Sequence, residues 1–76
     1  MSIEKQVIEV VADCLNLDES LISIESSADN IDIWDSLVHV NLMIALEQTF
    51  DIDLEVEDFM ALTSVAAITR FVEDYS

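Results

Sequence analysis

From Ile3 to Leu15 or Leu17, apolar residues recur every three or four positions. At about 100° per residue, Ile3, Val7, Val10, Val11, Cys14 and Leu17 share one side of a helix. Lys5, Glu9, Asp13 and Asn16 cluster on the other side. A second periodic run, Ser36 to Phe50, predicts the best helix of the chain, about 22 Å long at about 1.5 Å per residue. Asp35 suits its N-cap, where a carboxylate satisfies free backbone N–H groups and the positive end of the helix dipole. One face of this helix carries His39, Leu42, Met43, Leu46 and Phe50, the expected core side. Nearly opposite lie Leu37, Val40 and Ile44, a second apolar stripe where a surface helix ordinarily has one. Either the stripe packs under the preceding loop, or it is exposed as a docking surface for another protein.

Between these helices, residues 18–35 are mostly Asp, Glu, Ser and Asn, interspersed with Leu21, Ile22, Ile24, Ile31, Ile33 and Trp34. A free linker would not carry six large apolar groups, so the connection is expected to be pinned onto the core. Loops this long are uncommon in compact domains and are usually functional. Asp18-Glu19-Ser20-Leu21 suits a single helical turn, and the alternation in Asn30-Ile31-Asp32-Ile33 suits a short strand. Residues 51–58 alternate strictly and mimic a strand as well. A short helix is expected at about Glu57 to Ala61. A last helix, capped by Thr63 or Ser64, runs to about Tyr75 and buries Val65, Ile68, Phe71 and Val72. The count is three main helices and a short one.

The 76 residues suffice for one small domain, which buries only about 60% of its unfolded surface. No run approaches the roughly 20 apolar residues that span a bilayer. The start, Met1-Ser2-Ile3-Glu4-Lys5, has neither the basic region nor the apolar stretch of a secretion signal. A soluble, cytoplasmic monomer without membrane insertion is expected. Without Gly or Pro, every turn must be made by Asp, Asn, Ser and Thr.

Charge narrows the partners. Seventeen Asp and Glu stand against Lys5 and Arg70, a net charge of -15. Such a surface repels nucleic acid and anionic membranes and steers the chain toward basic proteins. The plainer alternative is that acidity keeps a small apolar domain in solution. The lone cysteine, Cys14, cannot form an internal disulfide, and its place on the apolar side of the first helix suits a buried small hydrophobe.

Most chemistry is excluded by composition. Asp51, Asp53 and Glu55 match the first ligand positions of an EF-hand loop, but Val56 stands where Gly is required and Leu62 where a bidentate Glu belongs. One Cys and one His cannot build a zinc site, so no specific metal site is expected. A phosphate-cradling loop needs Gly. A Ser-His-Asp hydrolase would depend on His39, which points to the core side with Leu42 and Met43, and a small bundle lacks an enclosing cleft. The chain is read as no enzyme. What remains is Ser36: with Asp35 as cap, its hydroxyl is free to point outward at a loop–helix corner beside an apolar stripe. That makes it a reasonable substrate for a modifying enzyme.

Over essentially its whole length the chain resembles acyl carrier proteins. The resemblance lies in Asp35-Ser36-Leu37, Val40, Leu42, Ala45-Leu46-Glu47 and Phe50-Asp51, then Thr63-Ser64-Val65 and the closing Phe71-Val72. It implies an all-α, four-helix bundle of the discrete carrier type over residues 1–76, with a short third helix. Ser36 would accept 4'-phosphopantetheine from coenzyme A, delivered by a phosphopantetheinyl transferase whose metal lies near Asp35. The arm's thiol would carry acyl groups as thioesters, loaded by a ligase or acyltransferase and passed to downstream synthases and transferases. The resemblance makes Leu37, Val40 and Ile44 docking contacts, with Asp35 and Glu47 pairing to basic partner residues. It makes Leu42, Leu46, Phe50, Leu54, Phe59, Leu62 and Ile68 the wall of an acyl shelter, although Phe59 is bulkier than the small residue often found there.

The chain departs from housekeeping fatty-acid carriers in two ways. Ile33-Trp34 precedes Asp35-Ser36 in place of Gly-Ala, and Val38, Asn41 and Gln48 leave Glu47 as the only acid of the helix after Ser36. A dedicated partner set that relies on apolar contact fits this better than bulk fatty-acid synthesis. An aminoacyl or peptidyl carrier loaded by an adenylating ligase, and a non-carrier interaction bundle, are the alternatives. The charge also makes a physical prediction: the folded state repels itself, so added sodium chloride raises the thermal midpoint, and divalent cations raise it further at equal ionic strength. A melting midpoint unmoved by salt would contradict it.

Overall fold

The computed structural model describes residues 2–75. Four helices follow one another: α1 (Ile3–Leu15), α2 (Ser36–Phe50), α3 (Val56–Ala61) and α4 (Val65–Tyr75). The expected all-α architecture, with three longer helices, a short one and a long connection after the first, is the one observed. A single 3-10 turn, Glu19–Leu21, interrupts that connection, with the Asp18 carboxylate accepting the Ser20 N–H. No strand occurs among the described residues; Ser27 and Ser64 form an isolated antiparallel bridge.

α1 is the centre of the bundle and packs against both α2 and α4. This two-sided packing turns its buried arc away from the one expected. Val7, Val11, Ala12 and Leu15 are buried, whereas Ile3, Val10, Cys14 and Leu17 are half-buried at the edge of the core. Against α1 stand Leu42, Met43 and Leu46 of α2 and Val65, Ile68 and Val72 of α4, all buried. Phe71, expected in the core, is half-buried and lies tilted against Tyr75. Thr69 is buried in α4 because its hydroxyl donates to the Val65 carbonyl within the helix.

Without glycine, helix ends rest on polar residues in the left-handed region. Asn16 (φ 57°) ends α1, and the Leu17 N–H returns to the Ala12 carbonyl. Asp51 (φ 55°) ends α2, and the Ile52 N–H returns to the Glu47 carbonyl. Asn and Asp tolerate this conformation better than other residues with a Cβ, at a cost that glycine avoids.

The alternation at 51–58 does not make a strand. Residues 52–55 are an unpartnered connection whose N–H groups find other acceptors: the Glu47 carbonyl for Ile52, the Tyr75 hydroxyl for Asp53, the Glu47 carboxylate for Leu54 and the Asp58 carboxylate for Glu55. The alternation instead buries Ile52 and half-buries Leu54. α3 then starts at Val56, one residue before the expected start.

The long connection is held by its ends and its middle. Ile22 and Trp34 are buried and Ile31 is half-buried, but Leu21, Ile24 and Ile33 face outward. Asn30-Ile31-Asp32-Ile33 is a series of turns rather than a strand. In the middle, the Ala28 N–H donates to the Thr63 carbonyl and the Val65 N–H to the Ser26 carbonyl, stitching the connection to the start of α4. Side chains replace the missing ladder: the buried Ser26 hydroxyl accepts the Ser23 N–H, and the Asn30 amide accepts from Ser27 and donates to Glu25.

Relief of the left-handed cost at Asp51 is directly measurable. Asp51→Gly also removes one negative charge, so it is expected to stabilise the chain by about 1 kcal/mol, a rise of about 4–8 °C in Tm. A lower midpoint would show that the aspartate makes a compensating contact.

Candidate functional site

Trp34 builds the corner that presents Ser36. Its ring is only 4% exposed, so the chain enters α2 from a buried anchor. A buried indole N–H needs an acceptor. It donates to Nδ1 of His39, on the first turns of α2, at 3.1 Å. With Nδ1 accepting, the ring hydrogen lies on Nε2, which donates to the Phe59 carbonyl of α3. One short relay therefore ties the residue two before Ser36 to α2, and α2 to α3. The spacing of a lone Trp and a lone His five residues apart across a helix start carried this signal, but hydrophobic patterning reads the Trp merely as an apolar anchor.

From this anchor Asp35 turns out in extended conformation and caps α2. Its Oδ1 accepts the Val38 N–H at 3.0 Å, and its carbonyl accepts the His39 N–H at 2.8 Å. Ser36 follows as the first residue of the helix, exposed, with a hydroxyl that bonds to no described residue. The cap role expected for Asp35 is thus observed. His39 is half-buried with both ring nitrogens engaged, so it has none to offer the Ser36 hydroxyl as a base.

The two readings of the second stripe separate here. Leu37 is 73% exposed, Val40 43% and Ile44 45%; the preceding loop does not cover them. Glu47 is placed differently from Asp35. It is half-buried, and its Oε2 accepts the Leu54 N–H at 3.0 Å, so one oxygen holds the connection between α2 and α3. Hydropathy gives no hint of that bond, since the acceptor and donor are seven residues apart on either side of a left-handed turn.

Of the residues named for the acyl shelter, Leu42, Leu46, Leu62 and Ile68 are buried in the common core. Phe50, Leu54 and Phe59 are half-buried and pack against it. Among the described residues no group of His, Cys, Asp and Glu is placed to hold a metal ion. Cys14 is half-buried; burial first, and the neighbouring Asp13 charge second, push its thiol above the ordinary range, which lowers its nucleophilicity. No described helix is long and apolar enough to cross a membrane.

Residues 5–72 match the family described as phosphopantetheine attachment site. Proteins named acyl carrier protein from Rickettsia massiliae (strain Mtu5) and Rickettsia africae (strain ESF-5) are each 33% identical over 72 residues, which is 95% of this chain and 84% of theirs. The protein of the same name from Rickettsia canadensis (strain McKiel) has the same identity and coverage. The matched span contains the whole corner from Trp34 through α2 to α3. The chain therefore belongs to the phosphopantetheine-dependent carrier family, that of the acyl carrier proteins, whose cofactor is covalently attached 4'-phosphopantetheine.

Proposed function

We propose that this chain carries acyl groups as thioesters on a 4'-phosphopantetheine arm attached to Ser36 and presents them to partner enzymes. One observation carries the reading: the Ser36 hydroxyl stands exposed on the first turn of α2, bonded to no described residue, while Asp35 does the capping. The position fits a phosphodiester. The N–H groups of Ser36 and Leu37 belong to the unpaired first turn, and the positive end of the helix dipole favours the negative charge. Attached there, the arm supplies the thiol on which acyl groups are held.

The chain's own residues present and position. Ser36 Oγ would attack the pantetheine-side phosphorus of the coenzyme A pyrophosphate, losing its proton to a base on the transferase. The P–O bond to the other phosphate breaks as adenosine 3',5'-bisphosphate leaves; the transferase also supplies the metal. Asp35 keeps Oδ1 on the Val38 N–H and offers its other oxygen toward that metal. Leu37, Val40 and Ile44 form an apolar strip for docking. Asp35 pairs with basic partner residues at its edge, and Glu47 does so with the oxygen that Leu54 leaves free. Catalysis belongs to the partners: the transferase, a loading ligase or acyltransferase, and the synthases and transferases that consume the cargo. They would meet it in the cytoplasm.

With Glu47 as the only acid of α2, a dedicated pathway of lipid, polyketide or other acyl transfer is favoured over bulk fatty-acid synthesis. Asp35 before the serine favours acyl over aminoacyl cargo.

Incubation with coenzyme A and a broad-specificity phosphopantetheinyl transferase should add the mass of one phosphopantetheine to the wild type and none to Ser36→Ala. A wild type that gains no mass defeats the reading. In the same assay Val40→Asn should lower kcat/KM about tenfold, the loss of roughly 1.4 kcal/mol of docking contact, with the chain still folded by its melting transition. An unchanged kcat/KM would remove the strip from the docking surface.

A further inference from the structure

We infer that Trp34, His39 and the Phe59 carbonyl form a latch that holds α3 against α2 and keeps the apolar interior closed to the cargo, so that this carrier suits short or polar acyl groups held outside the bundle. The inference rests on the carrier reading for its cargo, and on geometry alone for the latch.

An apolar chain hanging from Ser36 would enter the bundle beside α2, and the seam between α2 and α3 is one way in. Two features oppose parting α2 from α3. The first is steric. Phe59 of α3 is half-buried and packs against the core, in which Leu42, Met43, Leu46 and Ile68 are each completely buried. The second is polar and cooperative. The His39 ring stands between two partners, accepting from the Trp34 indole and donating to the Phe59 carbonyl. If α3 moves away, Nε2–H loses its acceptor and the imidazole loses the contact that fixes its orientation. The Trp34 N–H, buried with its ring, keeps Nδ1 as acceptor only while the imidazole holds this orientation, and no other described acceptor is bonded to it. Losing an oriented bond at a half-buried seam, and loosening the acceptor of a buried indole, is what makes the seam resist opening. Glu47 adds a second tie, since the same movement strains its bond to the Leu54 N–H just before α3.

A wholly apolar seam would behave differently. It could exchange one apolar contact for another as a hydrocarbon chain slid in, with little change in free energy. Here entry first breaks directional bonds that the chain cannot replace. A short or polar acyl group gains too little apolar burial to break them and stays on the arm in water, where partner enzymes reach it without drawing it out.

Butyryl and dodecanoyl forms of the pantetheinylated chain, compared by NMR, test the latch. Methyl signals of Leu42, Leu46, Leu62 and Ile68 should coincide in the two forms, and the Trp34 indole signal should not move. Hydroxylamine should cleave both thioesters at rates within twofold. In His39→Leu, which keeps apolar volume but removes both bonds, the dodecanoyl form should shift these methyl signals and be cleaved at least fivefold more slowly than the butyryl form. Trp34→Phe, which retains a ring, gives the same comparison should His39→Leu not fold. Shifted methyl signals in the wild-type dodecanoyl form, or no shift in either folded variant, would overturn the latch. Failure of the chain to accept the arm defeats the carrier reading instead. The latch is then judged on the unmodified chain, where an indole proton exchanging as fast as in urea overturns it and a protected one supports it.

Discussion

Burying an indole obliges the fold to bury an acceptor with it. Trp34 lies at the end of the long connection, and its ring is the anchor that stops that connection from swinging over α2. Its N–H reaches the only histidine of the chain, and the tautomer this imposes hands the second ring hydrogen to a carbonyl of α3. The approach of the chain to α2 and the tie between α2 and α3 both involve that one requirement, while Asp35 caps the helix and leaves Ser36 exposed. A phenylalanine at position 34 could fill the same volume without setting the direction of anything else.

Around this anchor the chain solves its turns without glycine. Asn16 and Asp51 adopt the left-handed conformation, and serine, aspartate and asparagine side chains accept the N–H groups that a regular ladder would have satisfied. Polar residues therefore have two employments in a chain of net charge -15: some solvate the surface, and others complete the backbone. Glu47 belongs partly to the second group, which leaves the exposed face of α2 nearly uncharged.

The fold was legible in the sequence where one physical signal dominated. The bounds of α2 follow from Asp35 and the run that ends before Asp51, and the structure has the same bounds. The all-α count followed from periodicity, and the family from spaced residues around Ser36. Signals that depend on tertiary neighbours were not legible. The buried arc of α1 is turned because two helices press on it, and the alternating residues 51–58 lack a partner strand. The bonds from Trp34 to His39 and from Glu47 to Leu54 join residues whose types are individually unremarkable for hydropathy, so periodicity passes over them. The exposure of Leu37, Val40 and Ile44 was one of two readings from the sequence, and the placement of the preceding loop chose between them.

The pair of backbone bonds between residues 26–28 and 63–65 changes what kind of object the long connection is. A tether at its midpoint turns one span into two, and each half has far fewer conformations to explore than the whole. Motions of the first half, around the 3-10 turn, are then mechanically separated from the second half, which carries Trp34. The lever that ends at Ser36 is thereby short, and its near end is fixed to α4 rather than to α1. A displacement of the 3-10 turn must pass this tether before it bears on the serine, so a partner grasping that turn pulls first on α4 and only then on the attachment point.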